Sequence, residues 1–178
     1  MFSFEVVSGD ESQPPPPPLD YGTLGELTGN FLAHSAPDRY NGRSDFRVAL
    51  SFVTDEDIRA LNARYRRIDE TTDVLSFPLW EEEGAFTPPT GWSELPLGDV
   101  VVSPAYVERT ARESGSDCAA NLVLVVVHGA LHLVGYDHDT DERQREMWDA
   151  QERIVAQYAD VMRPKDASRG GSCESEED

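Results

Sequence analysis

The sequence predicts an α+β domain: one small mixed β-sheet of about four strands covered by about five helices, with a histidine-bearing helix at its centre. Three observations point there. Alternating or β-branched runs at Arg47–Val53, Thr72–Leu79 and Leu97–Ser103 read as strands, separated by stretches whose apolar residues keep helical spacing. The segment Ala119–Tyr136 is apolar almost throughout, so it reads as a helix buried in the core. A length of 178 residues with 39% hydrophobic content suits one domain with a sizeable core. We expect that domain to span residues 1–166, with a polyproline insertion at 14–18, and residues 167–178 to form a disordered acidic tail.

In chain order, Phe2–Val7 reads as a short edge strand, and Pro14–Pro18 as an extended, semi-rigid spacer. From Tyr21 to His34, Leu24, Leu27, Phe31 and Leu32 recur at helical spacing. Arg47–Val53 alternates as a half-buried strand does. Thr54 is placed to cap a helix over Asp55–Arg66, whose first-turn acids suit the positive end of the helix dipole. Thr72–Leu79 reads as a strand closed by Pro78. Trp80–Pro96, rich in Glu, Pro and Gly, reads as a long surface loop. Leu97–Ser103 is a β-branched strand, and Ser103-Pro104 supplies the cap and first position of a helix reaching Ser114. The apolar helix runs from Ser116 to Val134. Thr140 caps a last helix, with Met147, Trp148, Ile154, Val155 and Tyr158 expected to face the core.

The formal net charge of −19 argues at face value against a nucleic-acid ligand, because phosphate binding rests on Lys and Arg. The distribution restores it. Arg59, Arg64, Arg66 and Arg67 fall between Ile58 and Ile68 with no acid among them, while acids gather in Glu81-Glu82-Glu83 and Glu174-Ser175-Glu176-Glu177-Asp178. The start, Met1-Phe2-Ser3-Phe4-Glu5, has no basic or long apolar stretch and does not read as a signal peptide. Asn121, His128 and His132 make a membrane span of Ala119–Tyr136 costly, so we expect no membrane role. Cys118 and Cys173 form no ligand pattern. Cys118 reads as a buried thiol and Cys173 as a tail residue, and a reducing, cytoplasmic setting is expected.

Three of the four histidines, His128, His132 and His138, lie within eleven residues. Residues four apart on a helix share a face, so His128 and His132 can point together. Gly135 can adopt the left-handed conformation that stops a helix, and the turn can bring His138 back over the other two. Three neutral imidazoles with one open position form the ligand set of a catalytic zinc. Nickel, copper or iron would also accept three imidazoles. The plain alternative is a set of helix histidines satisfied by hydrogen bonds. The spacing His-x-x-x-His-x-x-Gly-x-x-His is also that of metzincin proteases, whose general base is a glutamate after the first histidine. Here that position is Gly129, which removes the base. A structural zinc needs a fourth protein ligand, usually cysteine, and Cys118 has no partner nearby.

With its flanks, the block His128-Gly129-Ala130-Leu131-His132-Leu133-Val134-Gly135-Tyr136-Asp137-His138 resembles the YbeY endoribonuclease family. Two further blocks are similar to that family: Leu61-Asn62-Ala63-Arg64-Tyr65-Arg66 with Asp69 and Thr72-Asp73-Val74-Leu75-Ser76-Phe77-Pro78, and Leu97-Gly98-Asp99-Val100. The resemblance covers about Arg47 to Tyr158. Thr71 stands where the family usually has proline or alanine, and nothing functional carries over to the polyproline run or to Trp80–Pro96.

The resemblance implies a metal-dependent, single-strand-specific endoribonuclease acting in small-subunit (16S) ribosomal RNA 3′-end maturation and ribosome quality control. It implies partners: single-stranded rRNA, the small ribosomal subunit, a ribosomal protein and an Era-type GTPase. The family's arginine corresponds to Arg66, our candidate for the catalytic cation, since a guanidinium binds phosphate oxygens bidentately. Arg59, Arg64 and Arg67 are candidates for RNA-backbone contact. Asp137 and Asp139 are candidates for carboxylates that orient the ligand histidines. Asp73 and Asp99 read as cap and turn residues, Ser76 as structural with a backbone near the cleft, Gly129 as a site of close helix–sheet approach, and Tyr136 as packing.

Overall fold

The computed structural model describes residues 1–7, 12–37, 40 and 44–163. The expected tail and Cys173 lie outside the described residues. In chain order come β1 (Phe2–Val7), α1 (Tyr21–Ser35), β2 (Asp45–Phe52), α2 (Asp55–Arg66), β3 (Val74–Pro78), β4 (Glu81–Glu82), β5 (Ala85–Phe86), β6 (Glu94–Val102), α3 (Pro104–Ser114), α4 (Cys118–Leu133) and α5 (Asp141–Met162). Four strands form one mixed sheet in the order β1-β2-β6-β3. The pairs β1–β2 and β2–β6 are parallel, and β3 runs antiparallel to β6. The expected α+β class, with a small mixed sheet and five helices, is what the chain forms.

The caps read from sequence are in place. Thr54 accepts from the Asp57 N–H, Ser103 from the Tyr106 N–H with Pro104 following, and Thr140 from the Arg143 N–H. Each satisfies an amide that has no partner within its helix. Asp20 caps α1 in the same way, and its own N–H donates to the Tyr158 hydroxyl at 2.9 Å.

Alternation along β2 sets the layers. Phe46, Val48, Leu50 and Phe52 are buried, while Arg47, Ala49 and Ser51 between them are half-exposed. The buried face lies under α1 and α4, with α5 packed behind both. α2 sits on the other face, where its Tyr65 ring meets Phe77 of β3 edge-on at 5.0 Å. α4 is thus the central helix, and Val126, Val127, Ala130 and Leu131 are fully buried.

Three local expectations need correction. Trp80–Pro96 is not all loop: Glu81–Glu82 and Ala85–Phe86 pair as a hairpin, and β6 begins at Glu94. Glu83 (φ 52°) and Gly84 (φ 77°) both take positive φ, as a tight two-residue hairpin turn requires. Pro96 obscured the strand start because proline cannot donate to a ladder. It is accommodated where the register slips: Arg47 pairs with Pro96 and Val48 with Gly98, so Leu97 is skipped. Trp148 is 48% exposed rather than core-facing, and Cys118 is exposed at the first turn of α4 rather than buried.

Candidate metal centre and cleft

Gly129 decides how the histidine helix meets the sheet. A Cβ there would lie 2.7 Å from Val100 Cγ1, 3.1 Å from Val74 Cγ2 and 3.2 Å from Ser76 Oγ. Only glycine permits that approach. The Ser76 hydroxyl donates to the Gly129 carbonyl at 3.0 Å and ties β3 to α4 one residue past His128. α4 then ends in a reversal. The Tyr136 N–H reaches the Leu131 carbonyl and the Gly135 N–H reaches the His132 carbonyl, both at 3.1 Å, with Gly135 at φ +81°. This is the Schellman pattern, and it turns the chain back toward the helix that it leaves.

The reversal brings His138 over His128 and His132. Ligand nitrogens of the three lie within 4.8 Å of one another. The His128 and His132 Nε2 atoms are 3.1 Å apart, and the His128 and His138 rings stack with centroids 5.6 Å apart. Two imidazoles bound tetrahedrally to one zinc at 2.0–2.1 Å would hold their nitrogens roughly 3.3 Å apart. The donor set therefore fits one ion.

The surroundings of His128 and His132 favour their neutral forms, as metal ligation requires. Burial holds His128 below its ordinary pKa, and burial together with the neighbouring His128 and His138 pushes His132 down to about 4. His128 Nδ1–H donates to Gln151 Oε1 at 3.0 Å. An amide oxygen only accepts, so this bond puts the ring proton on Nδ1 and leaves the Nε2 lone pair facing the other histidines.

These rings form one wall of a cleft of about 600 Å³. Tyr65 and Arg66 of α2, Thr72–Pro78 around β3, and Glu81 and Gly84 of the hairpin line the rest, with Arg143 of α5 beside the histidines. Arg66 is exposed at the rim, on the far side of the cleft from α4 in the chain's layering. Arg59, Arg64 and Arg67 do not line the cleft. Arg59 is held by Asp69 through two bonds of 2.7 and 3.0 Å, Arg64 lies 5.3 Å from the centre of the Tyr65 ring, and Arg67 caps α2 at φ 61°.

Asp137 and Asp139 surround the third histidine but turn elsewhere. Asp137 Oδ1 accepts from the His138 backbone N–H at 2.8 Å, and Asp139 takes Arg143 through both oxygens at 2.9 Å. Arg143 also lies 3.7 Å from Asp137 and reaches the Gly84 carbonyl at 3.4 Å. Asp73 caps locally, accepting from the Val74 N–H at 2.8 Å. Asp99 lies within β6, exposed on the sheet face away from α4 and paired with Phe77, rather than in a turn.

Sequence reasoning missed Gln151 and Arg143. Gln151 carried a signal: a polar residue on the stripe of α5 that also holds Met147, Ile154 and Tyr158, and buried with them. A buried amide on an apolar stripe needs a partner, and here the partner is a histidine. Arg143 carried a weaker one, its position four residues after Asp139.

Comparison with known proteins agrees with this geometry. The family model described as Endoribonuclease YbeY matches residues 21–159. Endoribonuclease YbeY of Shouchella clausii is 41% identical over 137 residues, 75% of this chain and 84% of the relative. That of Moorella thermoacetica is 39% identical over 142 residues, 78% of this chain and 88% of the relative. The solution structure of TM1509 from Thermotoga maritima superposes with a TM-score of 0.53 at 28% identity, covering 95% of this chain and 99% of that one. The match runs from the start of α1 into the last turn of α5 and includes the whole histidine block, and on it the chain belongs to the YbeY endoribonuclease family.

Proposed function

We propose that this chain is a zinc-dependent, single-strand-specific endoribonuclease that acts on small-subunit ribosomal RNA in the cytoplasm. The observation that carries the reading is three imidazole nitrogens converging in a cleft whose other wall bears Arg66. A zinc ion held there supplies Lewis acidity toward a phosphoryl oxygen and lowers the pKa of water toward ~7. The chain's own residues do the rest. His128, His132 and His138 hold the ion as neutral ligands, and Gln151 orients the first of them. Arg66 binds non-bridging phosphate oxygens through its planar fork and offsets the charge that grows on them. Arg143 sets the loop carrying His138 by clamping Asp139. Tyr65, 57% exposed beside Arg66, offers a ring on which an unpaired base can stack.

A cleft of about 600 Å³ bordered by the β4–β5 hairpin and α2 has room for an unstacked nucleotide, in keeping with a single-stranded substrate. A net charge of −19 repels naked RNA at long range, so a ribosomal particle would supply much of the affinity. The small subunit, with a ribosomal protein or an Era-type GTPase, is the partner we propose. Maturation of the 16S 3′ end and ribosome quality control would be the setting.

Two other readings lose support. A protease of the metzincin type needs a carboxylate at position 129, where even a Cβ would meet Val100. A closed structural zinc needs a fourth ligand. Cys118 sits ten residues before His128 on the same helix, which at 1.5 Å per residue is about 15 Å away. Metal analysis of the purified protein and digestion of single-stranded and duplex RNA, with and without chelator, test the proposal. Chelator-sensitive cleavage of single strands is expected; chelator-resistant cleavage, or preference for duplex, would overturn it.

A further inference from the structure

β3 is an edge strand of the four-stranded sheet: β6 lies on one side, and among the described residues no strand pairs with the other. Thr72 through Pro78, seven consecutive residues, all line the cleft. A strand shows alternate side chains to opposite faces, so an unbroken run means that the edge itself borders the space.

Two hydrogen bonds phase the ladder. The Ser103 N–H donates to the Asp73 carbonyl and the Leu79 N–H to the Leu97 carbonyl, both at 2.9 Å. In an antiparallel pair, hydrogen-bonded and non-bonded positions alternate. Asp73, Leu75, Phe77 and Leu79 therefore turn their backbone groups toward β6, in the register that pairs Leu75 with Val101 and Phe77 with Asp99. Val74, Ser76 and Pro78 turn theirs outward, into the cleft.

Of those three outward positions, two offer no donor. The Val74 N–H is taken by Asp73 Oδ1 at 2.8 Å, and proline has no N–H. That leaves the Ser76 N–H. Its own hydroxyl is engaged with the Gly129 carbonyl, which fixes Ser76 against the helix that carries His128. The motif Thr72-Asp73-Val74-Leu75-Ser76-Phe77-Pro78 thus silences an exposed edge on both sides of one amide.

We propose that the Ser76 backbone N–H is a fixed hydrogen-bond donor to a non-bridging oxygen of the substrate phosphodiester, on the same wall of the cleft as Arg66. A neutral donor held rigidly by a strand needs no reorganisation as charge develops on that oxygen. Backbone amides are ordinary partners of phosphate. The same edge does not suit an extended peptide, since strand addition draws on a row of N–H groups and this edge presents one. The inference rests on the endoribonuclease reading and names one of the contacts that reading requires.

The test isolates the amide. Ser76→Ala keeps the N–H and loses the hydroxyl. Lactic acid at position 76, introduced by nonsense suppression, differs from that alanine variant only in an ester oxygen where the N–H was. Relative to Ser76→Ala, the ester should lower kcat for single-stranded RNA by roughly 10²–10³-fold, with metal content unchanged. Equal rates for the two would overturn the proposal. A second measurement needs no variant: titration of the metal-loaded full chain, labelled with ¹⁵N, with inorganic phosphate. The Ser76 amide should shift, and the Leu75 and Phe77 amides, which face β6, should move far less. A silent Ser76 amide would overturn the proposal whatever the kinetics. If the wild-type chain cleaves no RNA while Ser76 alone responds to phosphate, the nuclease reading falls and the anion contact stands.

Discussion

One wall of the cleft comes from a single stretch of chain. His128 and His132 share a helical face, Gly135 reverses the chain, and His138 returns within eleven residues. The other wall is collected from α2, β3 and the β4–β5 hairpin, none of which touches the metal ligands through local sequence. The first wall is set by spacing and one glycine. The second exists only because Tyr65 packs on Phe77 and because Gly129 lets α4 come close to β3. On the function proposed above, the difference separates two tasks: a locally built wall to hold an ion, and an assembled wall to receive the substrate.

If that division is right, variants on the two walls should fail differently. The largest effect is expected from His132→Ala, which removes a ligand from the local wall. Elemental analysis should find most of the metal gone; full occupancy would sink the ligand assignment. Next comes Arg66→Ala on the assembled wall. RNA cleavage should fall roughly 10²–10³-fold while metal content stays at the wild-type level. Arg66→Lys should recover only part of the rate, because the planar fork is lost. Arg59→Ala should cost less than tenfold, as its guanidinium is already occupied by Asp69. Equal losses at Arg59 and Arg66 would replace one aimed cation with a diffuse basic patch.

A smaller effect tests how the local wall is braced from a distant helix. Gln151→Met removes the acceptor of the His128 ring proton at similar side-chain size. Metal affinity, read by chelator competition, should drop 10–100-fold in a chain that still folds. Unchanged affinity would mean that spacing alone orients the ring.

The smallest effect is a pH dependence of the metal-free chain. Burial depresses the His132 pKa from 6.5 to about 4, so the unfolded chain takes up a proton that the folded chain refuses. The folded state is undisturbed above pH 6.5 and loses stability as pH falls toward 4, with His128 contributing in the same direction. Urea midpoints between pH 7 and 5 should fall more steeply for wild type than for His132→Ala. Parallel slopes would show that the depressed value is wrong.

The sequence alone determined the α+β class, the caps at Thr54, Ser103 and Thr140, and the histidine wall. These are local: a cap acts over three residues, and helical periodicity acts over four. It also flagged Arg66, through the resemblance to a family, and Gly129, through its place in the histidine motif. What it could not determine depends on elements meeting. The slip at Pro96 appears only when β2 is alongside β6. Gln151 becomes a histidine's partner only when α5 packs on α4, twenty-three residues from His128. Arg59 and Arg66 sit on one helix seven residues apart, and sequence treats them alike apart from the motif. Tertiary structure separates them, because the loop after α2 brings Asp69 to Arg59 and the packing of α2 on β3 leaves Arg66 at the cleft. Periodicity says which way a side chain faces on its own element; only the packing of elements says what it faces.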